Sequence, residues 1–249
     1  MPIASVVSSN IMKKNNYILF LLLGLLISCH ETQNNHTAKT LHQDSYSGKI
    51  IPINFSDSNY MELRLYAIDT ITKDNWKIQY LVKDDSTKYK DIYIECSKEK
   101  YKGIFRFQDI LEMRRYFIPE YAGETKTHII FTHGCATDCS GVLVFDKDST
   151  PQFTDYLNVV DFNINFGLIV YVSDNTYQHE ENTYELVLVD LQNRKRKTIT
   201  YKDICMNVYK PDGVDTIIFK PEQVTIKTKL VDARTHMKEI TETRIIQRN

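Results

Sequence analysis

Four side chains with possible metal-binding or nucleophilic chemistry lie close together near the middle of the chain. His133, Cys135 and Cys139 are joined there by Asp138, all within residues 132–140. Two thiolates and an imidazole are ligands that zinc accepts, with Asp138 as a fourth ligand or as a partner of one. Alternatively, a cysteine thiolate with His133 as its base would be a nucleophile. No second ligand pair at zinc spacing follows, which favours a third interpretation, a disulfide across a hairpin loop.

The segments that flank this loop have the composition of β-strands. Residues 129–131 precede it and residues 142–145 follow it, and both are runs of β-branched and aromatic residues. Apolar and polar residues alternate in residues 61–65 and 224–228. We therefore predict an all-β domain, mainly an antiparallel meander arranged as a propeller-like arc or a sandwich. One short helix is predicted over residues 108–118.

A weak repeat is marked by Asp146, Asp190 and Asp232, which lie 44 and 42 positions apart. Each aspartate ends a β-rich run and precedes a polar turn, where its carboxylate can accept a hydrogen bond from the turn backbone. The spacing resembles that of blades in β-propellers such as the WD40 and TolB-like families. The motif lacks the glycine that those turns often carry, and about 190 residues hold at most four or five such units.

The amino terminus has the three parts of an export signal. Lys13 and Lys14 precede an apolar run over residues 17–27, and Ser28 places a small residue before Cys29. The run is about half the ~20 apolar residues that a membrane-spanning helix needs. We predict a signal peptide over residues 1–28. Since residues 1–11 carry no charge, its true start is expected at Met12.

The sequence Leu-Ile-Ser-Cys at residues 26–29 resembles the lipobox of bacterial lipoproteins. The resemblance implies cleavage before Cys29 and a diacylglyceryl group on its thiol, usually with a third acyl chain on its amine. Two or more chains give stable membrane anchoring. The next residue is His30, not the aspartate that signals inner-membrane retention in some bacteria, so the outer membrane is favoured over the inner.

The residues after Cys29 are almost devoid of apolar side chains. Such a composition cannot bury enough surface to offset the entropy of the chain, so residues 29–58 are predicted to be a polar tether and residues 59–249 a single β-rich domain. His30, His36 and His42 lie on this tether without ligand spacing and are interpreted as solvated.

Beyond Cys29 the chain has four cysteines, at positions 96, 135, 139 and 205. In an oxidising compartment an even number suggests disulfides, and four cysteines allow three connectivities. We favour a short bridge between Cys135 and Cys139 with a longer one between Cys96 and Cys205. The longer bridge would stabilise the fold by up to about 4.7 kcal/mol.

Charge and composition exclude several classes of function. The chain has 31 basic and 32 acidic residues, a balance that argues against a nucleic-acid partner. It has eight glycines and no phosphate-binding loop, so no cofactor is predicted. The basic run at residues 194–197 is interpreted as a hairpin turn or strand edge, with contact to anionic lipid as the alternative. The acidic and aromatic residues 177–184 form either a recognition loop or a solvated hairpin tip.

Two functions are consistent with these patterns. The first is a lipid-anchored, non-enzymatic module that binds a protein partner, for example as an inhibitor or immunity-type protein. The 16 tyrosines suit this function, since tyrosine gives a large contact area at low entropy cost. The alternative is an envelope enzyme or metal-binding factor that uses His133, Cys135, Asp138 and Cys139.

Overall fold

The β-rich runs of the sequence form antiparallel strands in four sheets. The computed structural model describes residues 39–41, 49–58, 60–83, 92–107, 117–136, 139–148, 151–177, 183–205, 213–232, 234 and 238–248. All of them belong to one compact unit, Thr37–Asn249. The strands are β1 (Lys39–Leu41), β2 (Ile50–Pro52), β3 (Thr70–Ile71), β4 (Lys77–Lys83), β5 (Ile92–Lys98), β6 (Tyr101–Phe107), β7 (Glu120–Glu124), β8 (His128–Ala136), β9 (Cys139–Asp146), β10 (Gln152–Tyr156), β11 (Val159–Asn163), β12 (Leu168–Val172), β13 (Thr183–Asp190), β14 (Lys195–Lys202), β15 (Ile204–Cys205), β16 (Val214–Phe219), β17 (Gln223–Asp232) and β18 (Glu239–Gln247).

The four sheets follow one another along the chain. Sheet I has the order β2-β4-β5-β6, with β3 paired beside β2 along β4, and sheet II has the order β1-β10-β9-β8-β7. Sheet III is a simple meander of β11-β12-β13-β14. In sheet IV, β15 and β16 lie along one edge of β17 and β18 lies along the other. Apart from β1, the strands of each sheet come from one continuous stretch of chain.

Each sheet packs face to face on the next, and three apolar cores separate them. Ile94 and Phe131 belong to the core between sheets I and II, while Ile130 and Val189 belong to the core between sheets II and III. Sheets III and IV share a third core that contains Leu186 and Ile226. Because sheets II and III bury both of their faces, their inner strands β9 and β12 contain continuous apolar runs, whereas β17 alternates.

The arrangement confirms the predicted all-β, antiparallel fold. No apolar core in the described part of the chain joins sheet I to sheet IV. The four sheets therefore form an open stack of sequential units, and the described strands do not close into a barrel.

The aspartates of the weak repeat have the predicted local role. Counted from β7, β11 and β15, each aspartate ends the third strand of its sheet in chain order. Its Oδ1 accepts a hydrogen bond from a backbone N–H of the turn that follows. The donors are Asp148 to Asp146 at 3.1 Å, Asn193 to Asp190 at 3.1 Å, and Arg234 to Asp232 at 2.8 Å. The repeat thus marks equivalent strand ends.

Residues 61–65 were expected to be a strand, and this prediction is wrong. Met61–Leu65 form a 3-10 helix, in which Leu63 is buried while Met61 and Leu65 are exposed. The amide of Ala67 donates to the carbonyl of Leu63 at 2.8 Å, which fixes the turn locally. Alternation over five residues was too short a pattern to separate the two structures.

The ordered domain begins earlier than residue 59. The backbone of β1 pairs with β10, β2 pairs with β4, and Ile53 is buried in the core of sheet I. Residues 39–41 and 50–52, which fall within the tether predicted over residues 29–58, are thus strand residues in the structure. Most of the helix predicted over residues 108–118 lies outside the described residues, and so does the signal peptide. No helix in the described ranges has the length and apolar character needed to cross a membrane.

Candidate functional site

The loop between β8 and β9 is closed by a disulfide between Cys135 and Cys139, whose Cα atoms are 5.1 Å apart. This confirms the short bridge predicted from the sequence. Cys135 lies at the register shift near the end of β8 and Cys139 begins β9, so the bond staples the tip of the hairpin. Because both sulfurs are bonded to each other, neither is available as a zinc ligand or as a thiolate while the bond is intact.

The His133 side chain is buried beside this disulfide and is 4% exposed. Its Nδ1 lies 2.8 Å from the carbonyl oxygen of Gly134, and its Nε2 lies 2.8 Å from Oδ1 of Asp155. Both partners are acceptors, so only an imidazole protonated on both nitrogens satisfies them. Burial opposes this charge, but the hydrogen bond and the attraction of Asp155 outweigh it and raise the pKa of His133.

The ring of His133 fits because residue 141 has no side chain. Gly141 lies directly opposite His133 on β9, and a Cβ built there would overlap the imidazole. The ring thus crosses over β9 to reach Asp155 on β10. Phe107 of sheet I closes the site, with its ring centre 6.5 Å from that of His133 in an edge-on arrangement. His133 thus links β8 to β10. Both of its ring nitrogens are hydrogen-bonded, so neither is free to act as a base.

A cleft of about 450 Å³ lies next to the stapled hairpin, between sheets II and III. Apolar walls come from Val142, Val159 and Phe162, and two carboxylates come from Glu120 and Asp161. The full lining is Glu120, Thr132, His133, Gly134, Cys139, Ser140, Gly141, Val142, Val159, Val160, Asp161 and Phe162. No lysine or arginine of the described ranges lines it, so its charge suits a cationic group.

Asp161 lies at an irregularity of β11, where the register with β12 shifts. Its Oδ1 accepts the backbone N–H of Phe162 at 2.8 Å. Burial raises the pKa of Asp161, and the hydrogen bond from Phe162 only partly offsets that effect. A positive charge delivered into the cleft would therefore favour the ionised carboxylate.

The basic run at residues 194–197 lies at the other end of the strands, away from the stapled hairpin. Arg194 lies in the turn after β13 and the other three residues begin β14, as predicted for a hairpin. Arg194 binds Asp146 and Asp148 of sheet II at 3.3 and 2.9 Å. A smaller cleft of about 240 Å³ lies there, lined by cations and carboxylates together.

His128, at the same end, is a second buried histidine, and no sequence pattern singled it out. Its Nδ1 lies 2.8 Å from Oγ1 of Thr127, while its Nε2 is 3.9 Å from Asp146, beyond hydrogen-bond distance. Burial lowers the pKa of His128, opposed in part by Asp146 and assisted by Arg194. The pKa values of His128 and His133 are thus shifted in opposite directions within one sheet.

The longer predicted bridge is wrong, because Cys96 is a free thiol. Cys96 faces the core between sheets I and II, whereas Cys205 lies on β15 in sheet IV. Burial raises the pKa of the Cys96 thiol well above its usual value. The side chain of Cys205 lies outside those described, and so do Cys29, Asp138 and the histidines predicted on the tether.

Among the described side chains, no three His, Cys, Asp or Glu residues converge as a metal site. The predicted recognition cluster at residues 177–184 is also revised in part. Tyr184 is wholly buried, with its ring centre 5.8 Å from that of Tyr201, while residues 178–182 are not described.

Sequence reasoning missed both Asp155 and Gly141 as members of the His133 site. One signal was available, since His133 is two residues from Phe131 and therefore faces the same core.

No protein-family model, characterised protein or solved structure matches this chain.

Proposed function

We propose that this chain is a lipid-anchored protein of the bacterial cell envelope whose β domain binds a protein partner without catalysing a reaction. Support for the anchor comes from the export signal and the lipobox-like sequence that ends at Cys29. An inhibitor or immunity-type protein is one form that this function would take. The partner is expected to approach the cleft between sheets II and III.

The acidic cleft is the observation that carries the binding proposal. It is large enough for one or two side chains, has apolar walls, and offers the carboxylates of Glu120 and Asp161 without a counter-cation in its described lining. A peptide segment that presents lysine or arginine beside an apolar residue matches both features.

The connections between strands support the same surface. The end of the strands away from the stapled hairpin has short turns, since two residues join β5 to β6 and four join β13 to β14. Longer connections, of eight and ten residues, join β4 to β5 and β12 to β13. Contacts of Lys147 with Asp74 and of Arg194 with Asp148 place the short turns of sheets I, II and III together. The long connections must therefore leave from the end that carries the stapled hairpin, and long loops commonly carry recognition.

The chemistry around the cleft argues against catalysis. Both nitrogens of His133 are engaged by Gly134 and Asp155, and the neighbouring sulfurs form a disulfide. A nucleophile with a positioned base is the usual requirement for covalent catalysis, and these residues do not supply it.

Native capture tests the binding proposal. The full chain is extracted in mild detergent, and co-purified proteins are quantified for the natural sequence and for a Glu120→Gln/Asp161→Asn variant. The matched control is Glu222→Gln on sheet IV, which removes an exposed carboxylate elsewhere. A partner whose recovery falls at least tenfold in the cleft variant alone supports the proposal. Equal recovery with all three proteins, or no recovered protein, contradicts it.

The lipid anchor has a separate test. Cys29→Ser should move the protein from the membrane fraction to the soluble envelope fraction, and mass spectrometry of the natural protein should show a diacylglyceryl mass on a first residue Cys29. Retention of the variant in the membrane, or an unmodified Cys29, would contradict lipidation and leave the test of the cleft unaffected.

A further inference from the structure

The outer edge of β18 is not paired with any strand of the part of the chain that the structure describes. β18 pairs with β17 over its whole length, from Gln247 opposite Gln223 to Glu239 opposite Val231, without a register shift. β15 and β16 pair with one edge of β17 and β18 pairs with the other. No described strand lies on the far side of β18. Along these nine residues, every second one thus directs its backbone donor and acceptor away from β17, where another strand could pair with them.

Other strand edges of this protein carry features that discourage such pairing. The registers of β7, β11 and β16 are interrupted by irregularities, and β14 begins with three consecutive basic residues, Lys195, Arg196 and Lys197. Irregular and basic edges are common protections against edge-to-edge association. β18 has no irregularity, proline or glycine.

The inner face of β18 carries a symmetrical pattern. Ile246 is buried in the core between sheets III and IV, and Ile240 packs against the same core. Between them, on the same face, lie Glu242 and Arg244, which form an ion pair with each other. The Arg244 guanidinium also lies 5.6 Å from the ring centre of Tyr201, at the margin of the core.

We propose that a second copy of this chain pairs with β18 in antiparallel orientation, with Thr243 of one copy opposite Thr243 of the other. In this register Glu242 lies opposite the partner's Arg244, and Ile240 lies opposite the partner's Ile246. Each pair occurs twice because the contact is symmetrical. The result is a continuous sheet in which both the charges and the apolar ends of the strand are matched.

The charges select this register and this partner. Shifting the pairing by two residues in either direction brings Glu242 opposite Glu242 or Arg244 opposite Arg244, and like charges directly opposite each other are destabilising. An unrelated strand would need an acid and a base at the same spacing. An antiparallel copy of β18 supplies them. The surface is separate from the cleft, so the inference does not rest on the proposed function.

Charge exchange tests the pairing in solution. Sedimentation of the full chain in detergent should show a concentration-dependent dimer. Glu242→Arg places two positive side chains opposite each other in both symmetrical pairs, which should weaken the dimer about tenfold or more. The double variant Glu242→Arg/Arg244→Glu restores opposite charges and should restore the dimer. A chain that stays monomeric at all concentrations, or a double variant as weak as the single one, overturns the proposal.

Cross-linking tests the register. Thr243→Cys places two thiols on directly opposite residues, whose Cα atoms in antiparallel pairs are about 4.5 to 5.5 Å apart, within disulfide range. The matched control is Thr241→Cys on the same exposed face, because its thiols would be about 13 Å apart along the strand. A covalent dimer on a non-reducing gel is expected for Thr243→Cys only. Equal cross-linking of both variants, or more with Thr241→Cys, overturns the register.

Discussion

At the residue scale, both ring nitrogens of His133 face hydrogen-bond acceptors, which favours the protonated imidazole and raises the pKa of His133. Its ring donates to Gly134 and Asp155, and each acceptor requires a proton on the nitrogen it faces. A raised folded-state pKa means that the stabilisation is fully present below the unfolded value of about 6.5 and is lost as pH rises through the folded value. His128 has a lowered pKa, so its contribution is present above about pH 6.5 and is lost as pH falls through its folded value.

Replacing the partner of His133 tests this assignment. Asp155→Asn leaves the buried imidazole without its carboxylate, and since Asp155 is partly exposed we expect the free energy of unfolding to fall by about 2 to 3 kcal/mol at pH 6. The variant should also lose the decline in stability that the raised pKa of His133 produces above about pH 6.5. Urea unfolding followed by fluorescence of Trp76, the single tryptophan, measures both effects.

His128→Gln is the control for this prediction. It should remove the decline in stability on the acidic side of pH 6.5 and leave the alkaline side unchanged. Identical pH profiles for the natural chain and Asp155→Asn would contradict the role assigned to His133.

At the element scale, the hairpin of β8 and β9 is held at its two ends by different interactions. The disulfide staples the tip, and at the base Thr125 binds the backbone of His128 while Asp146 binds that of Asp148. The tip bridge closes a much smaller loop than the predicted Cys96–Cys205 bridge would have closed. Its entropic contribution should accordingly be smaller.

Removing the disulfide should therefore destabilise the protein without unfolding it. We expect Cys135→Ser/Cys139→Ser to lower the free energy of unfolding by about 2 kcal/mol, the chain-entropy value for a loop of about five residues. The urea midpoint should fall while the slope of the transition stays constant. A loss above about 4 kcal/mol would show that the hairpin tip organises more of the fold than its own loop.

At the scale of the whole molecule, a cation from each later sheet binds a carboxylate of the sheet before it. Lys147 of sheet II binds Asp74 beside sheet I, and Arg194 of sheet III binds Asp148 of sheet II. Arg248, after β18, binds Asp190 of sheet III. An open stack has only neighbour contacts, so each such junction stabilises one interface.

The junction between sheets III and IV should be the most sensitive to charge removal. Arg248 is 9% exposed and also donates to the carbonyls of Pro221 and Phe166, so Arg248→Ala should cost about 3 kcal/mol. Hydrogen exchange should accelerate in β16–β18 and stay unchanged in β4 and β5.

Arg194→Ala is the matched control, because its side chain is 66% exposed and solvent-exposed ion pairs contribute little to stability. Uniform acceleration of exchange in all four sheets for Arg248→Ala would contradict the neighbour-only description of the stack.

Local patterns determined the strands, the repeat and the short disulfide. Runs such as residues 142–145 are apolar at every position because they lie between two cores. Cys135 and Cys139 are four positions apart, which lets them pair across the tip of one hairpin. Asp146, Asp190 and Asp232 bind turns two or three residues away. These interactions are local, so residue type and spacing are sufficient to predict them.

Contacts between residues that are distant in sequence depend on how the sheets are arranged in the folded protein. His133 and Asp155 are 22 positions apart, and Lys147 and Asp74 are 73 apart. Their contact depends on strand order and on which sheets share a core, as does the placement of Cys96 away from β15 in sheet IV. Residue types and spacing alone predict an all-β chain with a stapled hairpin. In the folded protein His133, expected as a ligand or base beside the cysteines, is instead buried and bound to Asp155, because Gly141 leaves room for the imidazole.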